Sequence, residues 1–122
     1  MVETNQFQEA VSTPTDGEGC CSPAPQPDAA VVEADVRLLS ALASETRYEA
    51  LRVLADAEGE RCACEIERAL PVSQSAVSQA LGALYDAGLV ERRKEGRWRY
   101  YRPTERARAV IETLDAVRSE RR

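Results

Sequence analysis

Histidine is absent from all 122 residues, lysine occurs once (Lys94) among 16 basic residues, and tryptophan, phenylalanine and methionine occur once each. Without imidazole there is no His-containing zinc site, no Ser-His or Cys-His nucleophile pair and no histidine general base. Scarce lysine beside an acid excess is what a high-salt habitat selects, although GC-rich coding bias depletes lysine equally well. Long apolar runs are also missing, since no stretch reaches the ~18 residues that suggest a membrane-spanning helix. The first 30 residues are acidic and dotted with proline, where a signal peptide would have a basic start and an apolar centre. These absences predict a soluble, cytoplasmic protein with no membrane partner. The length allows one modest core plus a tail.

What is present begins with four cysteines. In a reducing compartment they read as metal binding, redox chemistry or plain burial rather than as structural disulfides. With no histidine to help, they work as thiolates in an all-sulfur site if they bind anything. The formal charge of -5 argues against a nucleic-acid partner until its distribution is considered. Residues 1 to 35 hold seven acids and no base, which leaves 16 bases against 14 acids in the remaining 87 residues. Between Glu91 and Arg108 there are eight bases and three acids, so positive charge is concentrated in one short segment.

Residues 1–27 carry prolines at 14, 23, 25 and 27 and few large apolar side chains. They cannot bury enough surface to offset their ordering entropy, and the segment reads as a disordered acidic tail bearing Cys20 and Cys21. Residues 28–122 form the folded part. A first helix runs from Asp28 with Val32, Val36, Leu39 and Ala43 at helical spacing, and Ser44 caps a second carrying Tyr48, Leu51 and Leu54 to a stop near Gly59. A short third helix spans Ala63 to Leu70, with Ile66, Ala69 and Leu70 inward, and Pro71 stops it. Ser73 caps a fourth that ends at Gly88. Leu89 to Arg93 and Arg97 to Arg102 then read as a two-stranded hairpin about Glu95 and Gly96. Pro103 opens a last helix with an apolar stripe of Ala107, Val110, Ile111, Leu114 and Val117.

This order predicts a mainly α fold with a two-stranded β-hairpin wing, which is the layout of a winged helix-turn-helix. On the fourth helix Val77, Ala80, Leu81 and Leu84 share one sector, while Ser75, Ser78, Gln79 and Gly82 share the opposite one. The outward face is uncharged and rich in hydrogen-bonding groups, so Gln74, Ser75, Ser78 and Gln79 are candidates for reading base edges, Gln being suited to adenine. Arg92, Arg93, Lys94, Arg97 and Arg99 are candidates for phosphate or minor-groove contacts. Trp98 and Tyr100 alternate with the arginines and are expected to face the core. The plainer account, an ordinary solvated helix face beside a solubilising arginine strand, remains open for any single residue.

Three stretches, Ser73 to Leu81, Asp86 to Val90 and Arg93 to Arg102, closely resemble the recognition helix and wing of the ArsR/SmtB family of metal-responsive repressors. Leu42 to Arg47 resembles the start of that family's second helix. The resemblance covers about Asp35 to Leu114. It implies an operator-binding homodimer, in line with apolar stripes on the first and last helices that a lone winged helix need not bury. One departure is Gln79, where family members often carry histidine, and this bears on the operator preferred.

Cys62-Ala63-Cys64-Glu65 stands where arsenic and cadmium sensors of that type carry a Cys-x-Cys element. A further cysteine found in many of them three residues on is replaced here by Glu67. The resemblance implies that Cys20 and Cys21 supply the missing sulfur, as N-terminal cysteines do in other members, in several cases from the partner subunit. In a continuous helix Cys62 and Cys64 would point about 200° apart, so both meet one ion only if the helix begins after Cys62. Cys62 is the favoured third ligand beside the tail pair and Cys64 an optional one. Cys62 also reads as a small core residue.

Thiolates without nitrogen or carboxylate partners select soft ions. Three sulfurs suit As(III) or Sb(III), and four suit Cd, Pb or Zn. The reading is therefore a non-enzymatic transcriptional repressor of an arsenical-resistance operon, binding operator DNA and released by trivalent arsenic or antimony. A cadmium, lead or zinc sensor of the same fold is the near alternative. A thiol redox protein is the distant one, without the usual Cys-x-x-Cys or a basic helper.

Overall fold

The computed structural model describes residues 21–120. Among them the order is α1 (Ala29–Ala41), α2 (Glu45–Asp56), β1 (Arg61–Cys62), α3 (Ala63–Ala69), α4 (Gln74–Asp86), β2 (Val90–Glu95), β3 (Trp98–Pro103) and α5 (Glu105–Glu120). Cys20 and most of the acidic tail read from the sequence lie outside the described residues. Residues 22–28 have no regular secondary structure and are exposed. The chain divides at Val31/Val32 into two units, and the core belongs to the second.

Side-chain caps begin the helices where small polar residues precede apolar periodicity. Ser44 Oγ accepts from the Arg47 backbone N–H at 3.3 Å, and Ser73 Oγ accepts from that of Ala76 at 3.0 Å, each satisfying a donor with no partner inside its helix. Leu51 and Leu54 of α2, Ile66 of α3, and Val77, Leu81 and Leu84 of α4 then close on one another with Leu89. Ala107 and Ile111 of α5 and Tyr101 of β3 complete this core. Full burial of each large aliphatic side chain is worth about 1.5–3 kcal/mol, so the inner faces of α2, α3 and α4 carry most of the stability. The α1 residues Val32, Val36 and Leu39 stay exposed, Leu39 at 65%.

The sheet has three antiparallel strands in the order β1-β3-β2, one more than the hairpin expected from the sequence. Arg61 pairs with Tyr101 and Cys62 with Tyr100. Two residues are too short to display an alternation, so β1 has no pattern of its own. Pro103 ends β3 opposite Val90 rather than opening the last helix. Thr104 makes that start instead, its Oγ1 accepting from the Ala107 N–H at 3.2 Å while donating to the Gly88 carbonyl at 3.0 Å. Helix α2 stops at Asp56, three residues before Gly59, and Ala69 is exposed while Ile66 and Leu70 are buried.

The inward phase of β3 differs from expectation. Trp98 is 49% exposed, Tyr100 is half-buried, and Tyr101 is the core aromatic at 4%. The two-residue loop fixes Glu95 opposite Trp98, so Val90, Arg92 and Lys94 share a face with Pro103, Tyr101 and Arg99. Aromatics stand on both parities of Trp98-Arg99-Tyr100-Tyr101, and only the register decides which side is buried.

Candidate nucleic-acid interface and thiolate site

Helix α4 turns Val77, Ala80, Leu81 and Leu84 inward and leaves Gln74, Ser75, Ser78 and Gln79 exposed. At Gly82, apart from its chain neighbours and the backbone of its own helix, no described atom lies within 4 Å of where a Cβ would stand. The face is bare and uncharged. The connection from α3 is short because Leu70 ends one helix and Ser73 caps the next.

The wing has two unlike faces. Arg92, Lys94 and Arg99 lie on the face that continues outward from buried Val90, Tyr101 and Pro103. Among the described residues none of these three, nor Arg97 in the turn, forms an ion pair with a carboxylate. Arg92 instead stacks on Tyr85 near the end of α4, its Cζ 3.9 Å from the ring centroid, which ties the wing to the recognition helix.

The opposite face is neutralised internally. Arg93 pairs with Glu60 and Glu95, both at 2.8 Å, and its guanidinium lies 4.8 Å from the Tyr100 ring. Arg102 pairs with Glu91 at 2.7 Å. The Arg93 hydrogen bonds hold the Glu60 carboxyl below its usual range, and the two carboxylates raise the guanidinium of Arg93 further above its own. Arg93 is thus occupied, whereas the other four wing bases proposed from the sequence have no carboxylate partner among the described residues. Glu60 and Tyr85 are participants that sequence reasoning missed. Glu60 is engaged by a partner 33 residues away and Tyr85 by Arg92 of the following strand, and neither stands in a motif.

The thiols meet because α3 begins after Cys62. Cys62 is the N-cap, with φ -71 and ψ 147 in the extended region. Its backbone N–H donates to Glu65 Oε1 at 2.9 Å, and its Sγ accepts from the Cys64 N–H at 3.3 Å, a capping box with sulfur in the usual place of a hydroxyl. This bend brings the two Sγ atoms to 2.7 Å, with Cys62 8% exposed and Cys64 half-buried. The hydrogen bond to Cys62 pushes the Cys64 thiol above its usual value, burial adds to this, and Arg68 opposes it. Cys64 therefore stands beside Cys62 rather than on the far side of a helix.

Among the described residues no cluster of three or more cysteines and carboxylates is arranged to hold a metal ion. Cys21 is exposed. A cleft of about 320 Å³ opens beside the thiols and is lined by Cys62, Cys64, Gln74, Ser78, Arg97 and Trp98, among others. Sulfur pair, recognition helix and wing thus share one depression. Among the described residues no helix is long and apolar enough to cross a membrane.

A helix-turn-helix with an uncharged polar reading face, followed by a basic hairpin, defines a winged helix-turn-helix DNA-binding protein. The family model for bacterial regulatory proteins of the arsR family matches residues 44–92. A Halobacterium salinarum protein named as arsenical resistance operon repressor ArsR2 is 52% identical over 101 residues, covering 83% of this chain and 85% of the relative. Another protein of that organism, named as arsenical resistance operon repressor ArsR, is 51% identical over 87 residues, covering 71% and 67%. The homodimeric winged helix-turn-helix DNA-binding domain of a Mycobacterium bovis protein superposes with a TM-score of 0.68 at 34% identity, covering 81% of this chain and 93% of that one. The chain belongs to the ArsR family of transcriptional regulators.

Proposed function

We propose that this chain is the repressor of an arsenical-resistance operon, that it binds operator DNA as a cytoplasmic homodimer, and that trivalent arsenic or antimony releases it. The observation that carries the reading is the convergence of the Cys62 and Cys64 sulfurs on a cleft that recognition-helix and wing residues also line. The names of the two Halobacterium salinarum relatives support the regulated function.

The chemistry of trivalent arsenic accounts for the donor set. As(OH)3 forms three bonds and keeps a lone pair, and each thiol that adds displaces one hydroxide, which leaves with the thiol proton as water. Cys62 and Cys64 supply two sulfurs, and Cys20 or Cys21 supplies the third. Soft sulfur favours arsenic and antimony over hard cations, and no nitrogen donor competes. Release requires that the ion bind the DNA-incompetent dimer more tightly than the competent one, because equal affinity shifts nothing. Straightening the bend at Cys62, or drawing the two sulfurs toward a third, disturbs β1 and hence its pairing with β3 of the wing.

A second copy is the proposed occupant of the apolar groove of about 490 Å³ lined by Leu39, Leu42, Tyr48, Val110, Leu114 and Val117. The homodimeric Mycobacterium bovis domain supports this. The test is a gel shift of the reduced protein on duplex DNA from its own upstream region, followed by titration with arsenite, antimonite, cadmium, lead and zinc. Release by arsenite and antimonite is the expected result. No shift of that DNA overturns the repressor reading, and release by cadmium or lead alone overturns the choice of ion.

A further inference from the structure

The exposed large apolar side chains of the described residues fall into two groups. Six are aliphatic and lie on α1 and α5, namely Val31, Val32, Val36, Leu39, Leu114 and Val117. The other two are aromatic, Tyr85 and Trp98, and each has an arginine over its ring. The aliphatic group belongs with the helix stripes already given to a second copy. Trp98 does not: it is the first residue of β3, at the mouth of the wing turn, and 49% of it is open to solvent.

Its neighbours are the bases of the wing tip together with Glu95, which stands opposite it on β2. Gly96, with φ +63, and Arg97 form the two-residue loop, and the Arg97 guanidinium lies 5.6 Å from the Trp98 ring centroid. Lys94 and Arg99 face one another one step further along the hairpin, on its other face, without carboxylate partners among the described residues. Trp98 also borders the cleft that reaches Gln74 and Ser78 of the reading helix. A tryptophan left half in water loses the burial that usually holds it, and here it does so under the Arg97 guanidinium and across the strand pair from Glu95.

We propose that Trp98 is a DNA-contact residue, whose indole packs against the sugar and base edges of a groove when the wing tip enters it. The inference rests on the DNA-binding reading above and adds an apolar contact to an interface otherwise built from cations and amides. A ribbon inside a groove presents both of its faces, so Trp98 reaches one wall while Lys94 and Arg99 reach phosphates on the other. Apolar side chains placed in this way unstack or pack on base steps and depend on how easily a step deforms. Trp98 therefore contributes to choice among sequences as well as to affinity.

Trp98 is the sole tryptophan of the chain, so its emission reports on this contact without a label. Emission is followed while the reduced full-length protein is titrated with its upstream duplex, with occupancy measured independently by anisotropy of a labelled duplex. Quenching should track occupancy. Trp98→Ala should weaken binding about tenfold, the low end of what an aromatic contact to a base supplies, and should leave the slope of log affinity against log salt unchanged because no charge is removed. Trp98→Phe should recover part of the loss, which excludes misfolding as its cause. Emission unaltered at saturation overturns the proposal, as does wild-type affinity of Trp98→Ala. A change in emission with arsenite but none with DNA also overturns it and makes Trp98 a wall of the effector cleft. Failure of the wild type to bind the duplex at all would instead sink the repressor reading.

Discussion

Glu60 and Arg93 join the segment leading into the cysteine pair to the outer strand of the wing, with both guanidinium Nε and Nη2 of Arg93 donating to Glu60 Oε1, at 3.1 and 2.8 Å. They are 33 residues apart in sequence. Glu60 immediately precedes β1, so the contact reaches β2 past the intervening β3. Its fork geometry suits arginine and not lysine.

That ion pair gives a pH dependence with a definite sign. The Glu60 carboxyl is held below its usual value of 4.5, chiefly by the Arg93 hydrogen bonds. A group depressed on folding adds stability that is present above its unfolded value and is lost as pH falls through its folded value. Melting temperatures of wild type and Glu60→Gln should therefore differ most near neutral pH and converge as pH drops below 4.5. Parallel curves down to about pH 3 would show that the pair does not act in solution.

Wing charge should be unequal in its effect on DNA. Arg97→Ala and Arg99→Ala should each lower the slope of log affinity against log salt by about 0.9, on specific and random duplexes alike. Arg93→Ala should lower it by less, because Glu60 and Glu95 already oppose that charge. A larger drop for Arg93 than for Arg99 would reverse the assignment of the two wing faces.

Gln79 is exposed on α4 with no side-chain partner among the described residues, so its amide is available to a base. Gln79→Ala should remove about 1–3 kcal/mol of discrimination at one operator position and leave the salt slope nearly unaltered. Binding profiles on a set of single-base operator variants decide this. A uniform loss across the set would place Gln79 on the DNA backbone.

The recognition helix was legible in the sequence because its core face obeys one period and its caps are serines. Ser73, Val77, Leu81 and Leu84 stand in the structure where spacing placed them. The wing was legible as a hairpin but not in phase, since Trp98, Tyr100 and Tyr101 offer aromatics to both sides and only pairing across the loop chooses Tyr101. The third strand was not legible, because Arg61 and Cys62 take their extended conformation from Tyr101 and Tyr100 and not from any local pattern. The sulfur pair was legible only as a condition, that the helix begin after Cys62. The capping box with Glu65 meets it.

Cys64 offers a probe of that pair. The hydrogen bond to Cys62 raises its thiol above the usual 9.0, so its alkylation rate should rise with a midpoint above that pH. Cys62→Ala should bring the midpoint down. A midpoint unmoved by the substitution, followed by peptide mass spectrometry of iodoacetamide-treated protein, would mean the two sulfurs do not interact.

Release from DNA by arsenite in cysteine variants tests the sensor most directly. Cys62→Ser, Cys64→Ser and the double variant Cys20→Ser/Cys21→Ser should each bind the upstream duplex as the wild type does. None should let go at arsenite concentrations that free the wild type completely. Release of the Cys62→Ser or Cys64→Ser variant at wild-type arsenite concentrations would contradict the thiolate sensor, and the same response in the double variant would remove the tail cysteines from it.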